Sequence, residues 1–300
     1  MLNVIMLIFE IQIMSNCIFC KNTSFINSPF ENTVFNNKRF QYITCSKCHL
    51  VQVDPLPNED DLVKMYAMDY YSFKKLQPSS IFDAVLSEIK GLGEYKTVLD
   101  FGCGGGRFLV NALDKGYVTT GVDFGDELIG NLKEAYPSAN FIEISEFNKQ
   151  SEKYDVIYVS NVFEHLTNPV EVLNQLYDRL NVNGILVSDG PAENNFTIAG
   201  AFRKCMFGIR KFILKKEVNH VPRHITYTNK ANQLSFFERS GLKTVSFRLE
   251  EAAWPFPSDF KSAVSIILKM YFVIAKISIF LGRLIPNNGN VFYFIGRKTS

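Results

Sequence analysis

Apolar runs of four to seven residues recur through the middle of the chain, and most are followed by a stretch with apolar residues at helical spacing. The runs have the length and the β-branched or aromatic content of buried strands. They are 98–101, 117–122, 140–144, 154–160 and 185–188. Helices are expected at 126–136 and 169–180. Strands that alternate with helices indicate an α/β domain with a parallel sheet.

Segments on either side of this region carry further periodic patterns. Helices are also predicted at 60–71, 81–90 and 230–240. Gly241 can supply the left-handed residue that ends the last of them. An apolar helix pattern runs from Ser258 to Leu284, whereas residues 190–217 show no clean periodicity. Residues 190–217 are therefore left without a predicted helix or strand.

A glycine turn connects the first central strand to the helix that follows it. Gly102, Gly104, Gly105 and Gly106 come after Asp100 and leave a backbone almost without side chains. A ligand can therefore approach the peptide N–H groups at the positive end of the helix. The turn is typical of a nucleotide-cofactor site.

The spacing of the glycines decides between kinds of cofactor. A dinucleotide fingerprint that begins at Gly102 needs its third glycine at 107, where the chain has Arg107. The Gly-Lys-Ser/Thr of a phosphate-binding loop is absent from the turn. The glycines follow Asp100 at alternate positions, 102, 104 and 106. This arrangement resembles the first motif of class I S-adenosylmethionine-dependent methyltransferases.

The segments that follow extend the resemblance. Asp123 ends the second strand about twenty residues after the glycines, where α/β nucleotide folds place a carboxylate that accepts ribose hydroxyls. Tyr154–Ser160, Asn161–Leu166 and Asn168–Gly184 match the order of the family's later motifs. The chain is identified as a member of this family over roughly residues 90–190.

The resemblance implies a fold and a set of cofactor residues. The fold is α/β, a Rossmann-like seven-stranded methyltransferase sheet whose last strand, Asn290–Arg297, is antiparallel. The residues implied to bind S-adenosylmethionine are Asp100, Gly102, Cys103, Gly104, Gly106, Asp123, Phe124 and Asn161. The adenine is expected near Ser145–Phe147. Tyr66, Tyr70 and Tyr71 are expected either to cover the methionine end or to pack against an N-terminal module.

Four of the six cysteines form two C-x-x-C pairs, Cys17 with Cys20 and Cys45 with Cys48. Each pair can form a tight turn that directs two thiolates at one ion, and four sulfurs make a closed structural zinc site. His49 could compete as a ligand, but the cysteines already complete the site. The residues between the pairs suggest short strands of a ribbon too small to fold without metal.

The cysteine pairs and the methyltransferase motifs divide the chain into two modules. Residues 14–57 are assigned to a small N-terminal zinc ribbon, and residues 58–300 to the methyltransferase domain. Within that domain, residues 190–229 are expected to form a lid insert, and residues 258–285 an amphipathic helix.

Three histidines are candidates for a catalytic base. Methyl transfer from a sulfonium is an in-line displacement, so a base is needed only if the acceptor must lose a proton. His165, His220 and His224 suit that task because a neutral imidazole accepts a proton near pH 7. Glu164 and His165 could instead tie the strand end to the next helix. They could also bind a divalent ion, as in some quinone O-methyltransferases that they resemble, although the sequence shows no further ligand.

The lid insert carries several basic residues among aromatic ones. They are Arg203, Lys204, Arg210, Lys211, Lys215 and Lys216. A solvated charged face is the first interpretation. An anionic substrate and a membrane surface are the alternatives.

The apolar helix carries Lys261, Lys269, Lys276 and Arg283 at near-heptad spacing. Lysines in the middle of a lipid-spanning segment are costly, so the pattern argues against a membrane span. It fits a helix that lies at a membrane surface or that pairs with another helix. Peripheral membrane contact or a homodimer through residues 258–285 is therefore expected.

Composition limits the remaining function classes. The net charge is only +2, so nucleic acid is not expected as a partner. Cysteines that serve as metal ligands rather than disulfides favour a cytoplasmic protein, with a membrane-peripheral location as an extension. Residues 1–13 are apolar but lack the features of a signal peptide, and a start at Met14 is favoured over one at Met1.

The sequence therefore predicts an enzyme that transfers a methyl group from S-adenosylmethionine to a small-molecule acceptor. Zinc ribbons of this kind also occur in bacterial methyltransferases that act on sugars and other small metabolites. That resemblance suggests a sugar, a nucleotide-sugar or a lipid-linked glycan as acceptor. A quinone or lipid O-methyltransferase at the membrane surface stays as an alternative, and so does a cofactor-binding scaffold without catalysis.

Overall fold

The computed structural model of the chain describes residues 16–67, 80–213, 220–252, 260–261, 263, 265–285 and 287–299. In chain order its strands are β1 Phe25–Asn27, β2 Thr33–Phe35, β3 Lys38–Cys45, β4 Val51–Asp54, β5 Thr97–Phe101, β6 Val118–Asp123, β7 Asn140–Glu143, β8 Tyr154–Ser160, β9 Leu180–Pro191, β10 Thr226–Tyr227, β11 Lys243–Glu250 and β12 Val291–Arg297. Its helices are α1 Glu59–Ala67, α2 Asp83–Leu92, α3 Arg107–Asp114, α4 Asp126–Ala135, α5 Ile144–Phe147, α6 Pro169–Asp178, α7 Ile198–Gly208, α8 Lys230–Glu238 and α9 Ile266–Leu284. Expectations for residues 1–13, Met14, Tyr70, Tyr71, Lys215, Lys216 and Ser258 lie outside the described residues.

In the described part of the chain, seven strands form one mixed sheet in the order β11-β12-β9-β8-β5-β6-β7. Strands β5 to β9 run parallel to their neighbours within that group, whereas β12 is antiparallel to both β9 and β11. The predicted fold class, a Rossmann-like sheet with an antiparallel last strand, is therefore confirmed. The carboxyl ends of the parallel strands meet at one edge, which is where such folds bind their ligands.

Side chains of β5 alternate between two apolar layers. Leu99 and Phe101 pack in a cluster that includes Leu173 of α6, whereas Val98 packs in a cluster with Phe108 of α3. All of these residues are buried. Because helices cover both faces of the sheet, its central strands read as continuous apolar runs.

The predicted boundaries around residue 183 were wrong. Helix α6 ends at Asp178 and β9 begins at Leu180, so Asn183 and Gly184, which precede the predicted strand 185–188 and whose residue types are typical of a turn, lie inside the strand. Asn183 has a left-handed conformation with φ of 65°, and the pairing of β8 with β9 shifts register in this region. A Cβ on Gly184 would lie 2.9 Å from the carbonyl oxygen of Asp155, so glycine is required here. The strand accommodates these turn residues as an irregularity.

The insert that lacked predicted elements contains helix α7. Thr197 caps its start by accepting a hydrogen bond from the Gly200 N–H at 3.0 Å. Phe202 packs edge-on against Tyr271 of α9 with ring centroids 5.3 Å apart, and Phe207 packs against the core of the N-terminal module. Since α7 contacts different partners on different sides, its apolar residues do not form the single stripe that predicts a helix.

A second sheet forms the N-terminal module. Its strand order is β1-β3-β4-β10, with β2 paired to β3, and every pair is antiparallel. The short strands expected between the cysteine pairs are present. Strand β10 comes from the insert, and Tyr227 on it stacks on Tyr42 of β3 with centroids 4.8 Å apart. The insert is thereby tied to the N-terminal module.

The helix expected over residues 258–285 is present over a shorter range as α9, which spans 19 residues and packs against α7. The predicted start was too early, because the described residues 260, 261, 263 and 265 precede the helix. Ser265 caps its start by accepting a hydrogen bond from the Leu268 N–H at 3.2 Å. Across the residues that the structure describes, no helix is long and apolar enough to cross a membrane.

Candidate active site

The glycine turn lies at the carboxyl end of β5, directly before α3. Gly102, Gly104 and Gly106 have φ angles of 77°, 50° and 76°, a conformation that favours glycine. A Cβ on Gly102 would collide with the side chain of Val162, whereas a Cβ on Gly104 would enter open space. Gly102 is therefore required for packing, and the backbone at Gly104 is open to a ligand.

Asp123 lies at the end of β6, beside the glycine turn. Its Oδ2 atom accepts a hydrogen bond from the Gly104 N–H at 2.5 Å, and its Oδ1 atom accepts one from the Phe124 N–H at 2.7 Å. The carboxylate is buried, and burial raises its pKa despite these two hydrogen bonds. Asp123 thus joins the glycine turn to the end of the neighbouring strand.

Two further carboxylates belong to the same edge of the sheet. Asp100 is 3% exposed, and burial, followed by the charges of Asp123 and Asp189, raises its pKa well above the usual range. Asp189 on β9 accepts hydrogen bonds from the hydroxyls of Tyr158 and Ser160, each at 2.6 Å. Burial raises the pKa of Asp189 as well. Three carboxyl groups at one edge, two buried and one half-buried, suit a cationic ligand, because a nearby positive charge favours their ionised forms.

The other predicted cofactor residues differ in their access to a ligand. Cys103 is buried in an apolar cluster, and burial raises the pKa of its thiol well above the usual range. Phe147, at the expected adenine position, is also buried. Phe124 is exposed, and so is Asn161, whose backbone N–H donates to the carbonyl oxygen of Asp189 at 3.0 Å. Phe124 and Asn161 are therefore the more accessible members of the set.

Two of the three candidate histidines come together at this edge. The rings of His165 and His224 meet edge-on with centroids 4.9 Å apart. The Nδ1 atom of His165 donates to the carbonyl oxygen of Arg223 at 2.8 Å, which assigns the proton-accepting position to Nε2. The ring of Tyr66 lies 6.4 Å from that of His165, centroid to centroid. The aromatic segment is thus near the histidines at its described end.

The third histidine is placed differently. His220 is exposed, and its backbone N–H and carbonyl groups bond to the hydroxyl of Thr33 at 2.9 and 2.6 Å. These bonds attach the segment to the N-terminal module. The structure therefore does not group His220 with the other two candidates.

The two paired histidines have opposite pKa shifts. Burial, followed by the charge of His224, lowers the pKa of His165 to about 4. Burial alone would also lower the pKa of His224, but its Nδ1 atom donates to Oε2 of Glu193 at 2.8 Å. That hydrogen bond and the charge of Glu193 raise the pKa of His224 above its ordinary value. His165 is therefore the neutral imidazole, and His224 is the one that holds a proton more readily.

Glu193 connects His224 to the insert helix. Its Oε1 atom accepts a hydrogen bond from Nη1 of Arg203 on α7 at 3.3 Å. Burial alone would raise the pKa of Glu193, but the hydrogen bonds and charges of His224 and Arg203 lower it. Glu193 thus contacts both Arg203 and His224, and His224 in turn lies next to His165.

The described basic residues of the insert do not form a solvated face. Arg203 is 12% exposed and pairs with Glu193. Lys204 donates to Oδ1 of Asn194 at 2.9 Å, and burial, followed by the charge of Arg203, lowers its pKa to about 8. Arg210 forms a 2.9 Å ion pair with Glu31 of the N-terminal module. The first interpretation of the sequence was wrong for these three residues, because each has a specific partner, Glu193 and Asn194 within the insert and Glu31 in the N-terminal module.

Sequence reasoning missed two acidic residues of this edge, Asp189 and Glu193. Both follow the predicted strand 185–188 within five residues. The carboxyl ends of parallel strands form the ligand edge, so an acid just past a buried strand was an available signal. The signal was lost because the segment was treated as the start of a loop.

The four cysteines are one of two groups of described residues that could hold a metal ion. The Sγ atoms of Cys17 and Cys48 are 3.5 Å apart, and those of Cys20 and Cys45 are 3.6 Å apart. A zinc–thiolate tetrahedron with bonds of about 2.3 Å has edges of about 3.8 Å, so the spacing fits. Within the described residues this group consists of cysteines and does not include His49.

Glu164, His165 and His224 form the second group, with their ligand atoms within 4.8 Å of one another. Glu164 is 6% exposed, and burial raises its pKa to about 7. Its Oε1 atom lies 3.7 Å from Nε2 of His165 and has no hydrogen-bond partner in the described part of the chain. The sequence suggested Glu164 and His165 without a further ligand, and the structure adds His224.

Comparison with known proteins places these features in context. A family model described as a methyltransferase domain matches residues 71–246. A ubiquinone biosynthesis O-methyltransferase from Glaesserella parasuis serovar 5 is 29% identical over 102 residues, 30% of this chain and 43% of that protein. A trans-aconitate 2-methyltransferase from Agrobacterium fabrum is 30% identical over 96 residues, 31% of this chain and 37% of that protein. The chain therefore spans less than half the length of these curated relatives.

A solved structure resembles the chain over a larger part of its length. It is a complex of the Haloferax volcanii Trm112 methyltransferase activator with a methyltransferase. The match covers 82% of this chain and 100% of that chain, with 15% sequence identity and a TM-score of 0.50. At this identity the similarity concerns the fold alone.

Proposed function

The chain belongs to the methyltransferase family whose model matches residues 71–246, and we propose that it transfers a methyl group from S-adenosylmethionine to a small-molecule acceptor. One observation carries the proposal. A neutral imidazole, His165, lies at the same sheet edge as the carboxyl groups of Asp100, Asp123 and Asp189. The carboxylates suit a cationic cofactor, and the imidazole suits an acceptor that loses a proton.

The residues of this edge fit S-adenosylmethionine, which carries a sulfonium and an ammonium group. Asp123 would accept the ribose hydroxyls, and the open backbone at Gly104 would face the ligand. The negative potential of Asp100 and Asp189 would attract the cationic groups. A bound cation would also relieve the like-charge repulsion that contributes to the raised pKa of Asp100. S-adenosylmethionine supplies a methyl group that is already activated by its positive sulfur.

His165 would act as the base of the reaction. Its Nδ1–H donates to the Arg223 carbonyl oxygen, so Nε2 carries the lone pair that takes the acceptor's proton. The low pKa of His165 keeps this atom unprotonated at neutral pH. His224, held by Glu193, would stay protonated and orient an anionic group of the acceptor.

We propose an acceptor that carries an anionic group, such as a nucleotide-sugar or a lipid-linked glycan. Support comes from His224, whose raised pKa favours its protonated form, and from Arg203, which shares Glu193 with it. One relative is named for trans-aconitate, which is an anion, and another for ubiquinone biosynthesis. An unmodified neutral sugar would leave both cations without a counter-charge from the substrate.

Transfer of a labelled methyl group tests this function. Protein incubated with methyl-labelled S-adenosylmethionine and with separate metabolite, lipid and protein fractions should label the metabolite or the lipid fraction. His165→Gln should retain cofactor affinity and lose transfer, because it removes the base and keeps a polar side chain of similar size. Cofactor binding without a labelled product in any fraction would favour the non-catalytic scaffold instead.

A second candidate is metal-assisted O-methylation of a quinone or another lipid. It is favoured by the convergence of Glu164, His165 and His224, and by relatives named for ubiquinone biosynthesis. A divalent ion held there would polarise an acceptor oxygen as a Lewis acid. In this case added magnesium or manganese should stimulate transfer, and Glu164→Gln should abolish the stimulation. Transfer that is indifferent to added ions would leave His165 as the base.

We also propose that the four cysteines hold one zinc ion with a structural role. The two short Sγ–Sγ distances and the matched C-x-x-C turns support a closed tetrahedral site. Such a site has no open position for substrate, so it would stabilise the N-terminal module without taking part in methyl transfer. Metal analysis of reduced protein should give about one zinc per chain.

A further inference from the structure

One face of helix α9 is fixed on the protein. Ala275 and Ser278 are buried on this face. The hydroxyl of Ser278 accepts a hydrogen bond from the Ala199 N–H of α7 at 3.1 Å and donates to Oε1 of Glu251 at 2.8 Å. These contacts determine how the helix is rotated about its own axis.

The opposite face is exposed and apolar, and we call it the apolar stripe. It consists of Ile266, Met270, Val273, Ile277, Phe280 and Leu284, with exposed fractions from 47% to 78%. Their spacing alternates between four and three residues, which keeps them on one side of the helix. A continuous exposed apolar face on a folded protein marks an interaction site.

A row of cations borders the apolar stripe on one flank. Lys269, Lys276 and Arg283 follow one another at seven-residue intervals. The Nζ atom of Lys269 lies 5.3 Å from the ring centroid of Phe260, and that of Lys276 lies 5.2 Å from the ring centroid of Phe272. From residue 260 to residue 300 the sequence contains no Asp or Glu. The flank therefore has no carboxylate of its own segment to neutralise it.

We propose that α9 docks the protein on an anionic membrane surface. The apolar stripe would enter the boundary between headgroups and acyl chains, and the cation row would lie at the lipid phosphates. The opposite face would remain on α7, so docking needs no rearrangement of the fold. Burial of the stripe removes apolar surface from water, and each cation adds attraction to the negative surface potential.

Charge favours a lipid surface over a second copy of the chain. In an antiparallel pair of α9 helices joined through the apolar stripe, the two cation rows would face and repel each other. In a parallel pair, the cation row of each helix would face the opposite flank of its partner. That flank carries Ile274 and Leu281, which offer no negative charge. The cations would therefore lose hydration without gaining a partner. Anionic headgroups supply the missing counter-charge.

Docking through α9 would also bring the acceptor site close to the lipid, a consequence that rests on the proposed function. Helix α7, which packs on α9, carries Arg203, and the Arg203 guanidinium pairs with Glu193 beside His224. An acceptor with a lipid anchor could thus reach the histidines while its anchor stays in the bilayer.

Sedimentation with vesicles tests the docking itself and needs no methyl transfer, so its failure is separate from a failure of the proposed function. The full chain should bind vesicles that contain phosphatidylglycerol, bind phosphatidylcholine vesicles much less, and dissociate in high salt. The variant K269Q/K276Q/R283Q should bind about a hundredfold more weakly, at about fivefold per cation. The matched control K90Q/K133Q/K149Q removes the same charge from exposed lysines on other elements and should bind like the parent. Equal loss in both variants would overturn the proposal.

Variants of the apolar stripe and of the N-terminus complete the test. I277Q/F280Q changes only exposed side chains and should lose vesicle binding while it keeps S-adenosylmethionine affinity. A concentration-dependent dimer that I277Q/F280Q abolishes, without vesicle binding by the parent, would assign the stripe to a second copy and overturn the proposal. Vesicle binding that survives in both α9 variants, and that is lost when the chain starts at Met14, would assign membrane binding to residues 1–13. That result would also overturn the proposal.

Discussion

At the scale of single residues, the carboxyl groups at the sheet edge destabilise the fold and favour the binding of a cationic ligand. Asp100 is buried beside Asp123 and Asp189, and its raised pKa means that its charged form is less stable in the folded chain than in the unfolded chain. The fold therefore loses stability as the pH rises through the raised pKa of Asp100. Binding of a cationic cofactor would restore that stability. Residues that serve binding or activity at the expense of stability are common in enzymes.

Asp100→Asn should raise the melting temperature of the ligand-free protein at neutral pH and weaken S-adenosylmethionine binding by about tenfold. The amide removes a buried charge, and with it the attraction for the cofactor. Thermal melts with and without cofactor measure both effects. A variant that is less stable without ligand would contradict the account.

Asp155 is a control for Asp100, because its pKa in the folded chain is lowered rather than raised. Burial alone would raise its pKa, but the backbone N–H groups of Lys96 and Thr97 donate to its carboxylate at 2.8 and 3.0 Å and lower it. A depressed pKa contributes stability above the unfolded value that is lost as the pH falls through the folded value. Asp155→Asn should therefore destabilise the protein at neutral pH.

The opposite pKa shifts of the two histidines predict a pH profile for transfer. If His165 is the base, in protein without added divalent ion, the rate should fall only as the pH approaches about 4. If His224 were the base, the rate would already fall at a higher pH, because the hydrogen bond to Glu193 raises the pKa of His224 above 6.5. A rate profile measured with saturating cofactor separates the two assignments.

The positions of His165 and His224 could be predicted from the sequence, but their pairing could not. Both stand in motif segments, so each was a candidate base. Their contact, and the hydrogen bond from His224 to Glu193, join segments that lie far apart in the chain. A single sequence contains no local signal for such a contact.

At the scale of elements, the glycine turn separates a packing position from a ligand position. Both Gly102 and Gly104 are left-handed, but only a Cβ on Gly102 would meet Val162. The motif was readable from the sequence because its spacing is local. The different roles of Gly102 and Gly104 could not be predicted from the sequence, because Val162 comes from another part of the chain.

Gly104→Ala should cost about 1–2 kcal/mol of folding stability for the left-handed conformation alone. It should also weaken S-adenosylmethionine binding, because the methyl group enters the open space at the turn. Gly102→Ala should destabilise the fold more strongly, since it adds a steric clash. Chemical denaturation and calorimetry measure the two effects, and parental cofactor affinity in Gly104→Ala would show that the ligand lies elsewhere.

Elements with a regular apolar pattern were predictable, and elements whose apolar residues are divided among several partners were not. The central strands and α9 have regular patterns, so their existence followed from periodicity. Helix α7 divides its apolar residues between α9 and the N-terminal module, and β9 absorbs Asn183 as an irregularity. In both cases tertiary contacts override the local pattern.

At the scale of the whole molecule, the N-terminal module helps to hold the segment that carries His220 and His224. Strand β10 pairs with β4, and the hydroxyl of Tyr42 donates to the carbonyl oxygen of His224 at 3.2 Å. The hydroxyl of Thr33 bonds to the backbone of His220. The sequence predicted two modules in succession, and it could not predict that the insert of one supplies a strand to the other.

If the four cysteines hold zinc as proposed, removal of the metal should lower methyl transfer although it has no part in the chemistry. Chelation would unfold the metal-dependent module and free the backbone around His224, while the cofactor edge of the larger sheet stays folded. Hydrogen exchange should rise in β4 and β10 together, and cofactor affinity should change much less than the transfer rate. Unchanged exchange in β10 after complete loss of metal would contradict this coupling.

The central claim is that the glycine turn and Asp123 bind S-adenosylmethionine, and calorimetric titration of the parent and Asp123→Ala tests it most directly. The parent should bind S-adenosylmethionine and not NAD. The variant should remain folded and bind more weakly by at least about 1–3 kcal/mol, because it loses charge-assisted hydrogen bonds to the ribose. Unchanged affinity in Asp123→Ala, or a preference of the parent for NAD, would contradict the account.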